Sequence, residues 1–327
     1  MRSLAATVLT LLILIGIGAA LALGWAQQEV DRPGPLAEEV LIEVPRGAGV
    51  GRTSDILAQA GAIRHDWLFR INARYTGQAR QLKFGEYRLP AAASIAELTA
   101  LLVAGANVQH RVTIAEGLTS WEAVEMVRAA DVLTGEIAEV PPEGTLAPDT
   151  YFVTRGESRQ TVLDRMSEAQ RARVAEIWEN ADRDALPITS AEELVILASI
   201  VEKETGVAAE RPQVASVFVN RLRRGMRLQS DPTVVYGVTE GKGPLGRGLR
   251  RSELDRRTPW NTYQIDRLPV TAIANPGLAA LQAVVNPAVT NYLYFVADGT
   301  GGHAFAETLD AHNRNVRRWR AIERERQ

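Results

Sequence analysis

Hydrophobic and polar positions form three different textures along this chain. From Leu4 to Trp25 only Thr7 and Thr10 interrupt an apolar run, and no charge falls between Arg2 and Glu29. At about 1.5 Å per helical residue, such a run crosses the roughly 30 Å of hydrocarbon in a bilayer. Pro33-Gly34-Pro35 then breaks any continuing helix, and short alternations and short stripes take over. Leu41–Val44 and Phe84–Leu89 read as strands. Thr53 or Ser54 is placed to cap a helix carrying Ile56, Leu57 and Ala60, and Trp67, Leu68, Ile71 and Tyr75 recur at helical spacing. Ser94–Ala104 predicts another helix, stopped by Gly105. A related phrase follows over 111–130, with a strand at Val112–Ile114, a turn at Glu116-Gly117 and a helix from Ser120 through Val127. The third texture is Leu194–Val201, apolar on every face. Its β-branched residues would permit a strand, but Ser190 and Glu193 have capping-box spacing in front and Gly206 stands behind. A helix apolar all round is one enclosed by protein.

These textures predict an α+β fold class in four parts. Residues 1–28 form a cytoplasmic tip and transmembrane helix, and 29–39 a linker. Residues 40–107 form a small αβ module. Residues 108–327 form a larger mixed α+β domain that includes the 111–130 phrase and the buried helix. Arg2 and the α-amine before the apolar run, with Glu29 and Asp31 after it, favour a cytoplasmic N-terminus. Gly16, Ala20 and Gly24 add small-residue spacing suited to helix packing in a membrane. Ala20-Leu21-Ala22 also resembles a signal-peptide cleavage site, although the run exceeds the usual apolar core of such a signal. On either reading the rest of the chain lies outside the cytoplasm, in a bacterial periplasm. The small module resembles LysM-like glycan-binding modules; a plain packing module fits the same pattern.

Composition mainly excludes. At 327 residues the chain is roughly twice a common domain. Its 37 basic and 39 acidic side chains leave a net charge of −2, which gives nucleic acid no purchase. Absent cysteine removes disulfides, thiolate metal sites and cysteine nucleophiles. His65, His110, His303 and His312 lack metal-binding spacing, so neither metal nor cofactor is expected. Gly237–Gly248 lacks the order of a phosphate loop, and Ser199 and Lys203 stand four apart rather than in the SxxK spacing of acyl-enzymes. Arg314, Arg317, Arg318 and Arg320, mixed with Glu323 and Glu325, read as a solvated helix face.

Oxygen chemistry remains, and it concentrates between Ser190 and Pro276. Leu197, Ile200 and Val201 form one stripe on which Glu204 is the next residue, whereas Glu202 points about 160° away. Burial of Glu204 without a full counter-charge would raise its pKa, as a general acid requires. The competing reading pairs Glu204 with Arg211 or Arg221 as a structural tie; Glu202 is the rival acid and Lys203 a solvated flank. A helix from Pro212 to Arg224 follows. Beyond it, Gln229, Ser230, Asp231, Thr233 and Tyr236 surround a proline turn, Asn261, Thr262 and Tyr263 follow Trp260, and Asn275 precedes Pro276. Amide, hydroxyl and aromatic groups in such loops suit sugar hydroxyls and ring faces, although ordinary turns favour the same residues.

ILASIVEKET, VASVFVNRLRRGMRLQSDPTVVYG, TPWNTYQIDRLPVTAIANPG and NYLYFVADGTGGHAFAETLDAHN together closely resemble the endolytic murein transglycosylases of the MltG (YceG-like) family. The resemblance implies a single-pass inner-membrane protein whose periplasmic domain cuts peptidoglycan strands internally and limits their elongation, with peptidoglycan synthases as candidate partners. It also implies that the second glutamate of the Glu-Lys-Glu triplet, Glu204, is catalytic. Gln229, Ser230, Asp231, Tyr236, Asn261 and Tyr263 are the candidates for positioning glycan. One carboxyl can serve a lytic transglycosylase, whereas hydrolases usually need two. Glu204 would protonate the oxygen between N-acetylmuramic acid and N-acetylglucosamine, then take the proton of the muramic C6 hydroxyl as that oxygen closes onto C1. Two alternatives accompany this reading: a non-catalytic peptidoglycan-binding scaffold, and a muramidase-type hydrolase with Asp231 as second carboxylate.

Overall fold

The structure is a computed structural model that describes residues 2–325, with side chains from residue 7 onward. The expected charge bias of Arg2 and the α-amine lies outside the described side chains. The chain divides into two compact units. The first comprises Met1–His110 with Val132–Thr134 and Phe152–Glu157; the second comprises Arg111–Asp131, Gly135–Tyr151 and Ser158–Gln327.

In the first unit, helix α1 (Arg2–Asp31) contains the apolar run and ends two residues before Pro33. Its last turn is not linker. Val30 is buried in the unit's core, and Glu29 pairs with Arg32 and Arg64. Strands β1 (Val40–Val44) and β2 (Gly85–Leu89) pair antiparallel, Val40 opposite Leu89 and Val44 opposite Gly85. Between them lie α2 (Val50–Gln59) and α3 (Asp66–Tyr75), and α4 (Ile95–Ala104) follows. Two expectations change here. Helix α2 starts after Gly49, so Thr53 and Ser54 lie inside it, fully buried, rather than capping it. Helix α3 forms as expected but buries Leu68, Phe69 and Ala73, leaving Trp67, Ile71 and Tyr75 exposed. The helical spacing holds, but it does not say which side is buried, because two apolar stripes compete on this helix and only packing chooses between them. Ser94 and Glu97 form a complete capping box on α4.

The remaining elements are β3 (Gln109–Thr113), α5 (Ser120–Ala129), β4 (Leu133–Thr134), β5 (Thr150–Thr154), β6 (Glu157–Ser158), α6 (Arg159–Glu179), α7 (Ala191–Glu204), α8 (Arg211–Arg223), α9 (Asp231–Thr239), α10 (Arg251–Asp255), α11 (Leu278–Val285), β7 (Tyr294–Ala297), β8 (His303–Ala306) and α12 (Leu309–Glu325). Strands pair two by two: β3 with β5, β4 with β6, and β7 with β8. Helix α7 is the axis of the second unit, packed against α11, α8, α6 and α9. Leu194, Leu197, Ala198, Ile200 and Val201 have at most trace exposure, as an all-apolar helix requires. Its N-terminus departs from a reciprocal capping box. Ser190 accepts the Glu193 amide, but the Glu193 carboxylate takes the Thr189 amide instead of the cap's own.

Candidate active site

Glu204 is the last residue of α7, so the stripe that buries Leu197, Ile200 and Val201 delivers its carboxyl to the edge of the core. Burial raises its pKa to about 7; a Ser230 hydroxyl bond opposes that, the Asp231 charge adds to it, and His303 and Arg221 weakly oppose it. Among the described residues no cation stands within ion-pair distance of this carboxyl.

The two arginines that could have neutralised Glu204 are committed elsewhere. Arg211 lies 3.3 Å from Glu202 and 3.5 Å from Glu116. Arg221 is buried and donates to the carbonyls of Leu293, Arg227 and Leu228 and to Oε1 of Gln229, with its guanidinium over the Tyr294 ring. Glu202 is also buried, but its two oxygens take Arg211 and the Gly277 amide at 2.9 Å. It is a tie between α7, α8 and the start of α11. A Cβ at Gly277 would displace the Glu116 carboxylate from its present position. Lys203 is exposed as expected, yet its ammonium reaches the Gly117 carbonyl at 3.0 Å.

Ser230 precedes α9 in the N-cap position, where a serine oxygen ordinarily accepts an amide of its own helix. Here the hydroxyl instead donates to Glu204 Oε1 at 2.5 Å. Its backbone is fixed from behind: the Ser230 amide donates to Thr262 Oγ1, Thr233 Oγ1 donates to the Ser230 carbonyl, and the two threonine hydroxyls bond each other at 2.9 Å. Gln229 turns the chain into this position with a φ of +53°, in the left-handed region that costs a non-glycine residue free energy. Asp231 is exposed and accepts the Tyr263 hydroxyl at 2.7 Å, and burial beside Asp231 and Glu204 raises the Tyr263 pKa.

The sequence-predicted positions therefore separate. Ser230, Asp231 and Tyr263 gather around Glu204, and Gln229 braces the turn. The proline turn expected at 231–233 is the first turn of α9, a position proline fits because no helical amide bond is lost. Asn261 is fully buried, with its amide nitrogen on the carbonyls of Glu253, Leu254 and Arg256, so it shapes a loop and has no surface for a sugar. Asn275 is likewise internal, tying Leu118, Ser120 and Leu146 together. Tyr236 turns to a different carboxyl, Glu143, which burial also lifts to about 7 while the Ser120 amide and the tyrosine hydroxyl oppose it. Glu143 borders a cavity of about 580 Å³, largely apolar, with Gln170, Val195 and Ile196 in its wall and no part of the Glu204 cluster. Glu143 is spoken for by scaffold donors, whereas Glu204 stands beside a second carboxylate and a phenol.

Sequence reasoning named Thr262 and Thr233 only as loop hydroxyls, not as a pair that braces the Ser230 backbone, and it did not place His303, whose ring lies 2.7 Å from Glu210, near the site. Their only signal was position inside segments that resemble the family.

The profile of the YceG-like family matches residues 42–318. The chain belongs to the YceG-like family. A protein of Bacillus subtilis (strain 168) named endolytic murein transglycosylase is 27% identical, over 84% of this chain and 83% of its own length. One of the same name from Streptococcus pneumoniae serotype 2 is also 27% identical, over 85% of this chain; the match spans 58% of that longer protein. The 2.6 Å crystal structure of a YceG-like protein from Listeria monocytogenes superposes with a TM-score of 0.52 at 27% identity, covering 85% of this chain and 99% of that one. The match to the family begins within β1 and leaves α1 outside it.

Proposed function

We propose that this chain is a membrane-anchored endolytic lytic transglycosylase that cuts the bond between N-acetylmuramic acid and N-acetylglucosamine inside nascent glycan strands. The relatives' names supply the class of reaction. The observation that carries its assignment to a residue is the Glu204 carboxyl: half-buried, unpaired by any cation among the described residues, held through one oxygen by Ser230 and half-protonated near neutral pH. The proton then belongs on the other oxygen, where it is available to the glycosidic bridge. As the bond breaks, that proton passes to the leaving N-acetylglucosamine oxygen, and the muramic C1 becomes oxocarbenium-like. The carboxylate thus formed removes the C6 hydroxyl proton while O6 bonds to C1. The acid is regenerated and a 1,6-anhydromuramic end remains. No water enters the product, and strand elongation ends there.

In this reading α1 holds the chain in the inner membrane with the rest periplasmic, synthases that extend the same strands are the natural neighbours, and the LysM-like segment adds affinity for glycan. Purified sacculi incubated with the chain should release fragments ending in anhydromuramic acid, seen by mass spectrometry, and Glu204→Gln should release none. Binding without fragments would leave only the scaffold reading. One observation favours a second reaction: Asp231 is close enough to raise the Glu204 pKa. Two carboxyls permit a muramidase-type hydrolysis. Ordinary reducing ends in the same digest would establish it.

A further inference from the structure

We infer that the exposed face of α3 is seated in the headgroup layer of the membrane that α1 crosses, so that the first unit rests on the lipid surface. This inference rests on the anchor reading above. The apolar run ends at Trp25, where a spanning helix reaches the interface and tryptophan is favoured. Trp25 is 47% exposed and its ring stacks on Trp67 at 6.2 Å with an interplanar angle of 23°; His65 lies 6.1 Å from the same ring. Trp67 therefore shares the depth of Trp25. From Trp67 the exposed stripe of α3 continues through Ile71 at 55% and Tyr75 at 91% exposure, with Arg74 on the same face. Positions i, i+4, i+7 and i+8 fall within about 100° of arc. A large apolar stripe with a cation at its edge matches a phosphate-bearing interface better than it matches water.

No flexible tether intervenes. Ala26 and Val30 of the same continuous helix pack into the first unit's core, and α1 contacts both α3 and α4. Trp25 and Val30 are separated by about 8 Å of helix rise, and the headgroup layer is about 5–7 Å deep. The core of this unit thus begins within the headgroup layer.

The chain has no cysteine, so single labels are unambiguous. Tyr75→Cys, and Val289→Cys as a fully exposed reference in the second unit, carry a nitroxide on the full chain in phosphatidylethanolamine–phosphatidylglycerol vesicles. The ratio of oxygen to nickel-chelate collision rates should be several-fold higher at position 75, and Trp67→Ser should bring it down toward the reference. Equal ratios in chains that float with the vesicles overturn this inference and leave the anchor standing. Chains that do not float overturn both. A label at 75 that ignores lipid but is immobilised by soluble glycan strands overturns the membrane seat in favour of a sugar site.

Discussion

At the scale of single residues, the chemistry depends on what surrounds two side chains. Glu204 titrates near 7 when folded, against 4.5 for the ordinary carboxyl. The folded state therefore keeps a proton that the unfolded chain has lost. The stability this confers is complete below pH 4.5 and disappears as pH rises to 7, a change of roughly 3 kcal/mol. Glu204→Gln should match the parent protein in chemical denaturation at pH 4 and exceed it by up to about 3 kcal/mol at pH 8, while losing all cleavage. For the parent enzyme, kcat/KM should fall above about pH 7 as the acid ionises. Ser230 donates to the ionised form and so holds that limb down. A hydrogen bond to a charged group is worth about 1.5–3 kcal/mol, so Ser230→Ala should move the limb upward by about 1–2 pH units and lower kcat through lost orientation. A limb that stays in place would show that the hydroxyl does not hold the carboxyl.

At the scale of elements, α7 separates two glutamates that the sequence offers almost side by side. Helical geometry sends Glu204 to the Ser230 hydroxyl, and Glu202 to Arg211 and the amide of Gly277. Glu202→Gln keeps an acceptor for Gly277 and weakens the tie to Arg211, which retains Glu116 at 3.5 Å. It should cost about 1–3 kcal/mol in denaturant unfolding and preserve most of the cleavage rate. Cleavage lost together with intact stability would move the acid role to Glu202. The stripe on α7 was legible in the sequence because no polar residue interrupts Leu194–Val201. The face of α3 was not, because Trp67, Ile71 and Tyr75 are as apolar as the residues it buries. The loops at 229–236 and 261–263 looked alike in composition, yet one places Ser230 on the acid while the other hides Asn261.

At the scale of the whole molecule, the end of the apolar helix α1 is also part of a core. Glu29 and Val30 are buried, so the first unit does not start after a linker. A chain beginning at residue 33 should show a lower thermal midpoint for that unit than one beginning at residue 26, while the second unit, in which neither residue lies, should melt as before. Equal midpoints would mean that the last turn of α1 adds nothing to the fold.

Period, end signals and composition were sufficient to read the apolar N-terminal run, several of the helices with their stops, the enclosed α7 and the side of it on which Glu204 lies, whereas α6 and α11 were not read. These depend on spacing along one chain, and spacing is local. Three things came only from the tertiary structure: that Arg211 and Arg221 spend their charge elsewhere, that Ser230 abandons its own helix for the carboxyl, and that Tyr236 belongs to Glu143. Each is a choice of partner among chemically equal candidates many residues apart. Packing alone makes that choice, because it brings one candidate within hydrogen-bond reach and holds the others away.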